Sequence, residues 1–129
     1  MSQEHNLARL AEDAFARHGD YEALFFEGEW HRSGTIFERS RRLAGGFVEL
    51  GLQPADRVVV MMPNAPEVTI VYHALWRAGA AITPAIFLLP PDELRHVIAD
   101  SEAKAVVTSP EFLPTVVSAC EGVDTVKWI

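Results

Sequence analysis

The segment that decides the fold of this chain is Arg57-Val58-Val59-Val60-Met61-Met62-Pro63-Asn64-Ala65-Pro66-Glu67. Its first half is an almost continuous apolar run, which is typical of a strand buried on both faces of a sheet. Its second half carries the signals that begin a helix. We predict that Asn64 is the N-cap, that Pro66 lies in the first turn, and that Glu67 favours the positive helix end. The segment therefore predicts a buried strand that leads directly into a helix.

The same alternation continues toward the C-terminus. The helix that follows Asn64 is predicted to end at Gly79. Three further strands are predicted, at 80–83, 104–108 and 125–129. Two further helices are predicted between them, and they begin at Pro90 and Ser109. Alternating strands and helices imply parallel strands joined by right-handed crossovers. We therefore predict an α/β fold with a parallel core sheet of about four strands and helices on both of its faces.

Two elements precede this alternation. Apolar residues at helical spacing over residues 7–18 predict an amphipathic first helix that is closed by Gly19. Residues 21–30 contain two short apolar runs around a polar break, which is typical of a hairpin. We therefore predict a helix and a hairpin within 1–34, appended to an αβ core at 35–129, with the whole chain 1–129 forming a fragment of a larger domain.

A second helix is predicted to begin with a capping box. The hydroxyl of Thr35 is expected to accept a hydrogen bond from the amide near Glu38, while the carboxylate of Glu38 reaches back to the start of the helix. Gly51 follows the last apolar residue, where a left-handed C-terminal cap is needed. The helix is therefore predicted to run from Thr35 to just before Gly51.

The composition argues against two broad classes of protein. The 129 residues carry 18 acidic and 11 basic side chains, and the net charge of −7 repels the phosphate backbone of a nucleic acid. No apolar run approaches the roughly 20 residues that span a bilayer, and the polar start at 1–6 does not resemble a signal peptide. The single cysteine, Cys120, permits no disulfide framework. We expect a cytoplasmic protein with no membrane span and no nucleic-acid partner.

The candidates for phosphate, metal and nucleophilic sites favour structural roles. Ser33-Gly34-Thr35 has no second glycine and no neighbouring lysine, so helix entry is favoured over a phosphate cradle. Cys120 is expected on the inward face of its helix, as a small buried hydrophobe and not a nucleophile. No pair of histidines has ligand spacing, and His73 is expected to be a hydrogen-bonded core residue. The five histidines are His5, His18, His31, His73 and His96.

Charged pairs and a glycine pair also favour structural roles. Glu12 and Asp13 are adjacent on a helix and so face different directions, which argues against joint acid–base chemistry. The basic cluster, which consists of Arg39, Arg41 and Arg42, is expected to be a solvated face. The pair Gly45-Gly46 inside a helix is better explained by the close approach of another backbone than by ligand binding.

The run Ile86-Phe87-Leu88-Leu89 is unusual, because four consecutive apolar residues lie in a predicted connection. One hypothesis is that the run lines a pocket for an acyl group. The other is that it forms a surface that packs against another part of a larger protein. We favour the second hypothesis, since a partial domain leaves partner surfaces uncovered.

Several short motifs, taken in order, resemble a known family. They are Thr35-Ile36-Phe37-Glu38, Asp56-Arg57-Val58, Pro63-Asn64 and Ala78-Gly79. In this order they resemble the N-terminal portion of an AMP-forming acyl-CoA synthetase of the acyl-adenylate-forming superfamily. The chain departs from the family pattern at Ile36, Arg39 and Ala55, and in the segment that follows Pro84.

The resemblance implies an activity for a larger enzyme. That enzyme would activate a carboxylate with ATP and Mg²⁺ and pass the acyl group to coenzyme A. In the family a Ser/Thr/Gly-rich loop ending in Pro-Lys-Gly holds the phosphates, a later aspartate holds the ribose, and a mobile C-terminal domain brings a catalytic lysine. None of these has a counterpart in this chain. We therefore assign no catalytic, cofactor-binding or metal residue here, and we expect the fragment to be inactive alone.

Partners and alternatives follow from the same reasoning. The expected partner is the remainder of the enzyme, and the isolated fragment is expected to form a homodimer through Ile86–Leu89 and a final edge strand at Thr125–Ile129. One alternative is a stand-alone interaction or regulatory module with the same fold. An independent nucleotide-binding domain is the weakest alternative, because no glycine-rich turn follows any predicted strand. The acid that is activated, fatty or aromatic, is not determined by the sequence.

Overall fold

The computed structural model describes residues 6–129, so the polar start before Asn6 and His5 lie outside the described residues. Within these described residues there are five helices: α1 (Leu7–His18), α2 (Ser33–Glu49), α3 (Pro66–Arg77), α4 (Pro91–Asp100) and α5 (Leu113–Cys120). Five strands accompany them: β1 (Glu22–Phe26), β2 (Glu29–Arg32), β3 (Arg57–Met61), β4 (Ala81–Pro84) and β5 (Ala105–Thr108). A short 3₁₀ turn at Pro110–Phe112 leads into α5.

These elements form two compact units. The first unit holds the described residues up to Pro54 together with Ala65–Gly79, and therefore contains α1, the β1–β2 hairpin, α2 and α3. The second unit holds Ala55–Asn64 and Ala80–Ile129, and therefore contains the other three strands with α4 and α5.

The second unit is built on a parallel sheet with the strand order β4-β3-β5. The central strand is buried on both faces, because successive side chains of Arg57–Met61 alternate between the faces and all four from Val58 onward are at most 2% exposed. Val59 and Met61 share a core with Leu94 of α4 and Val116 of α5. The predicted α/β class with a parallel core sheet is confirmed.

The fourth predicted strand, at 125–129, does not form. Only Trp128 makes a bridge to the sheet, parallel to Ala105, and the Lys127 amide donates to the Lys104 carbonyl over 2.7 Å. The reason lies just upstream, where the amide of Val126 donates to the carbonyl of Val123 in a local turn. A backbone amide committed to a turn is not available to a ladder, so three strands and one bridge replace the predicted four strands.

The first unit begins with α1 and a hairpin, as predicted. Asn6 caps α1, since its side-chain oxygen accepts from the Ala8 amide over 2.7 Å. Gly19 follows the helix with a φ of 68°. The two residues between β1 and β2, Glu27 and Gly28, both have positive φ angles of 48° and 87°. Two-residue hairpin turns with positive φ at both positions match the right-handed twist of the strands.

The predicted capping box at Thr35 is wrong. Helix α2 begins at Ser33, and its N-cap residue Arg32 makes no side-chain cap bond. The amide of Gly34 instead donates to Oδ1 of Asp20 over 2.9 Å. Glu38, the predicted partner of Thr35, pairs with arginines one turn further along α2. The hairpin returns the chain to Asp20, so a distant carboxylate satisfies the first turn of the helix in place of a local one.

The predicted cap at Asn64 is also wrong. Asn64 is exposed and Ala65 occupies the N-cap position of α3, without a side-chain hydrogen bond. Pro66 and Glu67 lie in the first turn as predicted. The amide of Val68 donates to the carbonyl of Ala65, which satisfies part of the helix end through the backbone alone.

Candidate functional site

The Ser33-Gly34-Thr35 segment is occupied by structural hydrogen bonds. The Ser33 hydroxyl donates to the Gly19 carbonyl over 3.2 Å and accepts from the Tyr21 amide over 3.0 Å. A Cβ atom on Gly34 would lie 2.9 Å from Oδ1 of Asp20, so the glycine permits the close approach of that carboxylate. A carboxylate at the helix start would repel a phosphate, and the segment therefore fits helix entry.

The charge on Asp20 is stabilised by two donors. Nε of Arg32 donates to Oδ2 of Asp20 over 2.7 Å, and the Gly34 amide donates to Oδ1. These two bonds, the arginine first and the amide second, lower the pKa of Asp20 from its usual 3.8. The carboxylate is therefore a fixed anion at neutral pH with a helix-capping role.

The basic cluster is paired with acids. Nη2 of Arg41 and Nε of Arg42 lie 3.1 Å and 3.0 Å from Oε1 of Glu38, and these hydrogen bonds lower the pKa of Glu38. Arg39 pairs more loosely with Glu67, over 3.7 Å. All of these side chains are largely exposed. The arrangement fits the predicted solvated face.

The titratable side chains that the structure describes do not converge into a metal site. Within residues 6–129, no three His, Cys, Asp or Glu side chains come together in a way that could hold a metal ion. Oε1 of Glu12 accepts from Nη1 of Arg77 over 2.9 Å, so its role is an ion pair. Cys120 is partly buried, and this burial raises the pKa of its thiol. A raised thiol pKa disfavours the nucleophilic thiolate.

His73 is placed differently from the prediction. It is half-buried and its ring packs edge-on against Trp76, with the ring centroids 5.1 Å apart. Burial, followed by the nearby charge of Arg77, lowers the pKa of His73 below its usual 6.5. The imidazole is therefore neutral at pH 7.

Within the described residues, the Ser33–Thr35 segment does not fit the phosphates of ATP, and no carboxylate cluster fits Mg²⁺. A phosphate cradle needs several free backbone amides and a nearby cation. In the candidate segment Ser33-Gly34-Thr35, the amide of Gly34 already donates to Asp20. The described residues hold no cluster of carboxylates for a metal.

The unusual apolar run forms an exposed turn. Ile86, Phe87 and Leu88 are 57%, 38% and 74% exposed, and we call these three residues the 86–88 apolar turn. Leu89 departs from the run because it packs against the core of the second unit. The ring of Phe87 stacks on Phe112 with centroids 5.4 Å apart, which holds the turn in place. The open position of the turn favours a docking surface over the lining of an enclosed acyl pocket.

A cavity in the first unit was not foreseen from the sequence. It has a volume of about 300 Å³ and lies among α1, the hairpin, α2 and α3. Its walls include Phe15, Phe37, Thr69, His73 and Arg77. These side chains come from three helices, so no sequence motif joins them. The signal that could have pointed here is Arg77, a charged residue in a helix that is otherwise apolar on most sides.

The described residues contain no helix that is long and apolar enough to cross a membrane.

Comparison with known families gives a match over most of the chain. Residues 11–129 match the family described as AMP-binding enzyme. Triostin synthetase I of Streptomyces triostinicus is 39% identical over 106 residues, which is 82% of this chain and 20% of that protein. A long-chain-fatty-acid–CoA ligase of Yersinia pestis is 36% identical over 85% of this chain and 20% of its own length. A feruloyl-CoA synthase of an Amycolatopsis species is 34% identical over 89% of this chain and 22% of its own length.

Solved structures show the same fold. A benzoate CoA ligase from Burkholderia xenovorans LB400 superposes with a TM-score of 0.85 at 24% identity, covering 92% of this chain and 24% of that one. A fatty acyl CoA synthetase of Mycobacterium tuberculosis gives a TM-score of 0.87 at 21% identity, covering 96% of this chain and 26% of that one. The chain therefore spans about a fifth of the length of the sequence relatives and about a quarter of these two structures.

Proposed function

This chain belongs to the AMP-binding enzyme family, and we propose that it is the N-terminal part of an ATP-dependent acyl-CoA synthetase that is catalytically inert in isolation. The observation that carries the proposal is the coverage. The relatives named above match most of this chain, whereas the chain matches only 20–22% of their length. A piece of this size corresponds to an early structural part of a much longer adenylating enzyme.

The parent enzyme would adenylate a carboxylic acid with ATP and Mg²⁺ and then form a thioester with coenzyme A in the cytoplasm. The relatives support an acyl substrate, since two of the three are a long-chain-fatty-acid–CoA ligase and a feruloyl-CoA synthase. The first is named for a fatty acid and the second for an aromatic acid. The segment that follows Pro84 departs from the family pattern, so it does not indicate which of these acids the parent enzyme would take.

Inertness in isolation follows from what this chain's residues are used for. The sequence holds no Ser/Thr/Gly-rich loop ending in Pro-Lys-Gly. The single Ser-Gly-Thr run is committed to the start of α2 through Asp20 and the Gly19 carbonyl. Without amides and a lysine to neutralise the charge that develops on the phosphates, phosphoryl chemistry has no electrostatic support.

The 86–88 apolar turn supplies the contact with the remainder of the enzyme. Its three apolar side chains are exposed on a turn that the stack of Phe87 on Phe112 holds in place. In the isolated chain, the same turn of a second copy covers the exposed apolar side chains. The fragment therefore forms a homodimer about a two-fold axis. The predicted second surface, a strand at Thr125–Ile129, contributes no edge because only Trp128 pairs with the sheet.

The test of inertness is an assay for pyrophosphate. The purified chain is incubated with ATP, Mg²⁺, coenzyme A and a panel of fatty and aromatic acids, beside a full-length ligase of the family as positive control. We expect release no greater than in a blank without protein. Turnover that co-elutes with the chain in gel filtration would overturn the proposal.

The stand-alone alternative is tested at the level of the gene. We expect the reading frame of the source transcript to continue beyond the codon for Ile129 and to encode a Pro-Lys-Gly loop downstream. A stop codon directly after Ile129 would instead support an independent interaction module.

A further inference from the structure

The cavity in the first unit has the size and lining of a small-molecule site. Its volume of about 300 Å³ is at the lower end of the range for ligand pockets. An engineered apolar cavity of about 150 Å³ already binds benzene, so this space admits one substituted ring. Ala14 and Tyr21, both exposed, belong to its lining, so a ligand can enter from solvent.

One wall of the cavity is aromatic. The rings of Phe15 and Phe37 stack with their centroids 4.6 Å apart and their planes 16° from parallel, and both line the cavity. Leu24 and Ile36 add aliphatic surface. Aromatic side chains favour offset or edge contacts with a further ring. The apolar part of the site therefore suits a single aromatic ring.

Arg77 gives the cavity a polar end. Its side chain is only 12% exposed, and its guanidinium lies 4.4 Å from the centroid of the Phe37 ring. Nη1 donates to Glu12, whereas Nη2 is buried without a hydrogen-bond partner. A buried donor without a partner is costly, and because Nη2 is closed to solvent, the guanidinium has to turn toward the cavity before a ligand oxygen can remove that cost.

The charges around the cavity favour a neutral ligand. The positive charge of Arg77 is already balanced by the carboxylate of Glu12 at 2.9 Å. His73, which also lines the cavity, is neutral at pH 7, and its imidazole can accept a hydrogen bond. The site therefore offers one donor and one acceptor to a ligand without an uncompensated positive charge.

We propose that this cavity binds a small neutral phenol, with its ring against Phe15 and Phe37 and its hydroxyl oxygen accepting a hydrogen bond from Arg77. The aromatic wall recognises the ring, and the unpaired Nη2 recognises the oxygen. The hydroxyl proton has the imidazole of His73 or the hydroxyl of Thr69 as an acceptor within the same lining. This binding site is additional to the proposed role in acyl-CoA synthesis.

The experiment is a titration of the isotope-labelled chain, followed by amide NMR signals at pH 7. The three probes are phenol, toluene and benzoate, which share a ring and differ in the polar group. We expect phenol to shift the signals of Ser40 and Thr69 saturably, and those of Val106 in the second unit to stay unchanged. We expect toluene to bind about tenfold more weakly, because it lacks the oxygen that Arg77 requires. Benzoate should also bind more weakly than phenol.

Two variants and a control sharpen the test. Arg77→Met keeps an apolar stem but removes the donor, so phenol and toluene should bind it equally. Glu12→Gln keeps the donor and removes its charge partner, so the binding of benzoate should strengthen. Arg17→Met changes an exposed arginine of α1 and should leave all three affinities unchanged.

Three results would overturn the proposal. They are the absence of saturable shifts with phenol, equal affinities of the native chain for phenol and toluene, and tighter binding of benzoate than of phenol. The last result would indicate an anion site. If Arg77→Met does not fold, the comparison of the three probes on the native chain and on Glu12→Gln decides the question.

Discussion

Oδ1 of Asp20 accepts a hydrogen bond from the backbone amide of Gly34 over 2.9 Å, although fourteen positions separate the two residues. The same carboxylate accepts from Nε of Arg32 through its other oxygen. Asp20 thus joins the end of α1 to the start of α2 across the hairpin. It does the work that a local cap performs in an isolated helix.

The first prediction concerns this cap. Asp20→Ala should lower the midpoint of denaturant unfolding, because the Gly34 amide and Arg32 both lose an acceptor. Thr35→Ala is the matched control, since Thr35 lies inside α2 and does not cap it, and its midpoint should stay near that of the native chain. The midpoints are measured by circular dichroism in urea. If the two substitutions lowered the midpoint equally, the local capping box at Thr35 would be supported after all.

The second prediction is a loss of stability in acid. The pKa of Asp20 is lower in the folded chain than its usual 3.8, first through Arg32 and then through the Gly34 amide. The stabilisation is therefore present above about pH 4, and it is lost as the pH falls from there through the lowered pKa of the folded state. Glu38 acts in the same direction, through Arg41 and Arg42.

The measurement for this acid loss is the unfolding midpoint of the native chain and of Asp20→Asn between pH 7 and pH 2.5, values that bracket the usual carboxyl range. We expect the difference between the two proteins to shrink toward the acid end. A difference that is constant across this range would show that the ionised carboxylate of Asp20 contributes nothing beyond its shape.

The third prediction concerns a glycine in α2. The sequence suggested that another backbone approaches Gly45, but an added Cβ at Gly45 meets nothing within 4 Å, and the same is true of Gly46. Gly45→Ala should therefore raise the free energy of unfolding by about 0.5–1 kcal/mol, because alanine loses less backbone entropy on helix formation.

The contrasting variant is Gly51→Ala. Gly51 has a φ of 97° after the end of α2, so a side chain there is strained even though the space is open. We expect thermal melts to show a gain for Gly45→Ala and a loss for Gly51→Ala. A loss at Gly45 would mean that an unseen contact, such as one with another part of the parent protein, requires the glycine.

The fourth prediction is self-association through the 86–88 apolar turn. Sedimentation of the isolated chain at micromolar concentration should show a dimer, since a stable interface would bury on the order of 1,000 Å² or more of mostly apolar surface. The double variant Phe87→Glu and Leu88→Glu should shift it to monomer. Val48→Glu, which places the same charge at an exposed apolar site of α2, is the matched control.

A monomeric native chain would remove the dimer from the proposal while leaving the family membership untouched. A dimer that survives the double variant but not Val48→Glu would locate the contact on α2. Both outcomes are read from the same sedimentation experiment, after circular dichroism has confirmed that each variant is folded.

The sequence by itself determined the elements that depend on near neighbours. The apolar run at Val58–Met61 predicts a fully buried strand because alternating side chains must all avoid water, and the structure has that strand at the centre of the sheet. The Glu27-Gly28 turn and the glycine at Gly51 follow from backbone conformations that few residues adopt. The ordered motifs also identified the family, and the match over 11–129 confirms it.

Only the tertiary structure decided the features that join distant residues. Asp20 rather than Thr35 caps α2, because the hairpin brings a stronger acceptor to the helix start. Leu88 is exposed while its neighbour Leu89 is packed, because a turn at Phe87 and Leu88 sends the two side chains in different directions. The guanidinium of Arg77 in α3 lies over the ring of Phe37 in α2, although forty positions separate the two residues in the sequence. Patterns of period two or 3.6 report which face is apolar, and carry no information about which distant residue will meet it.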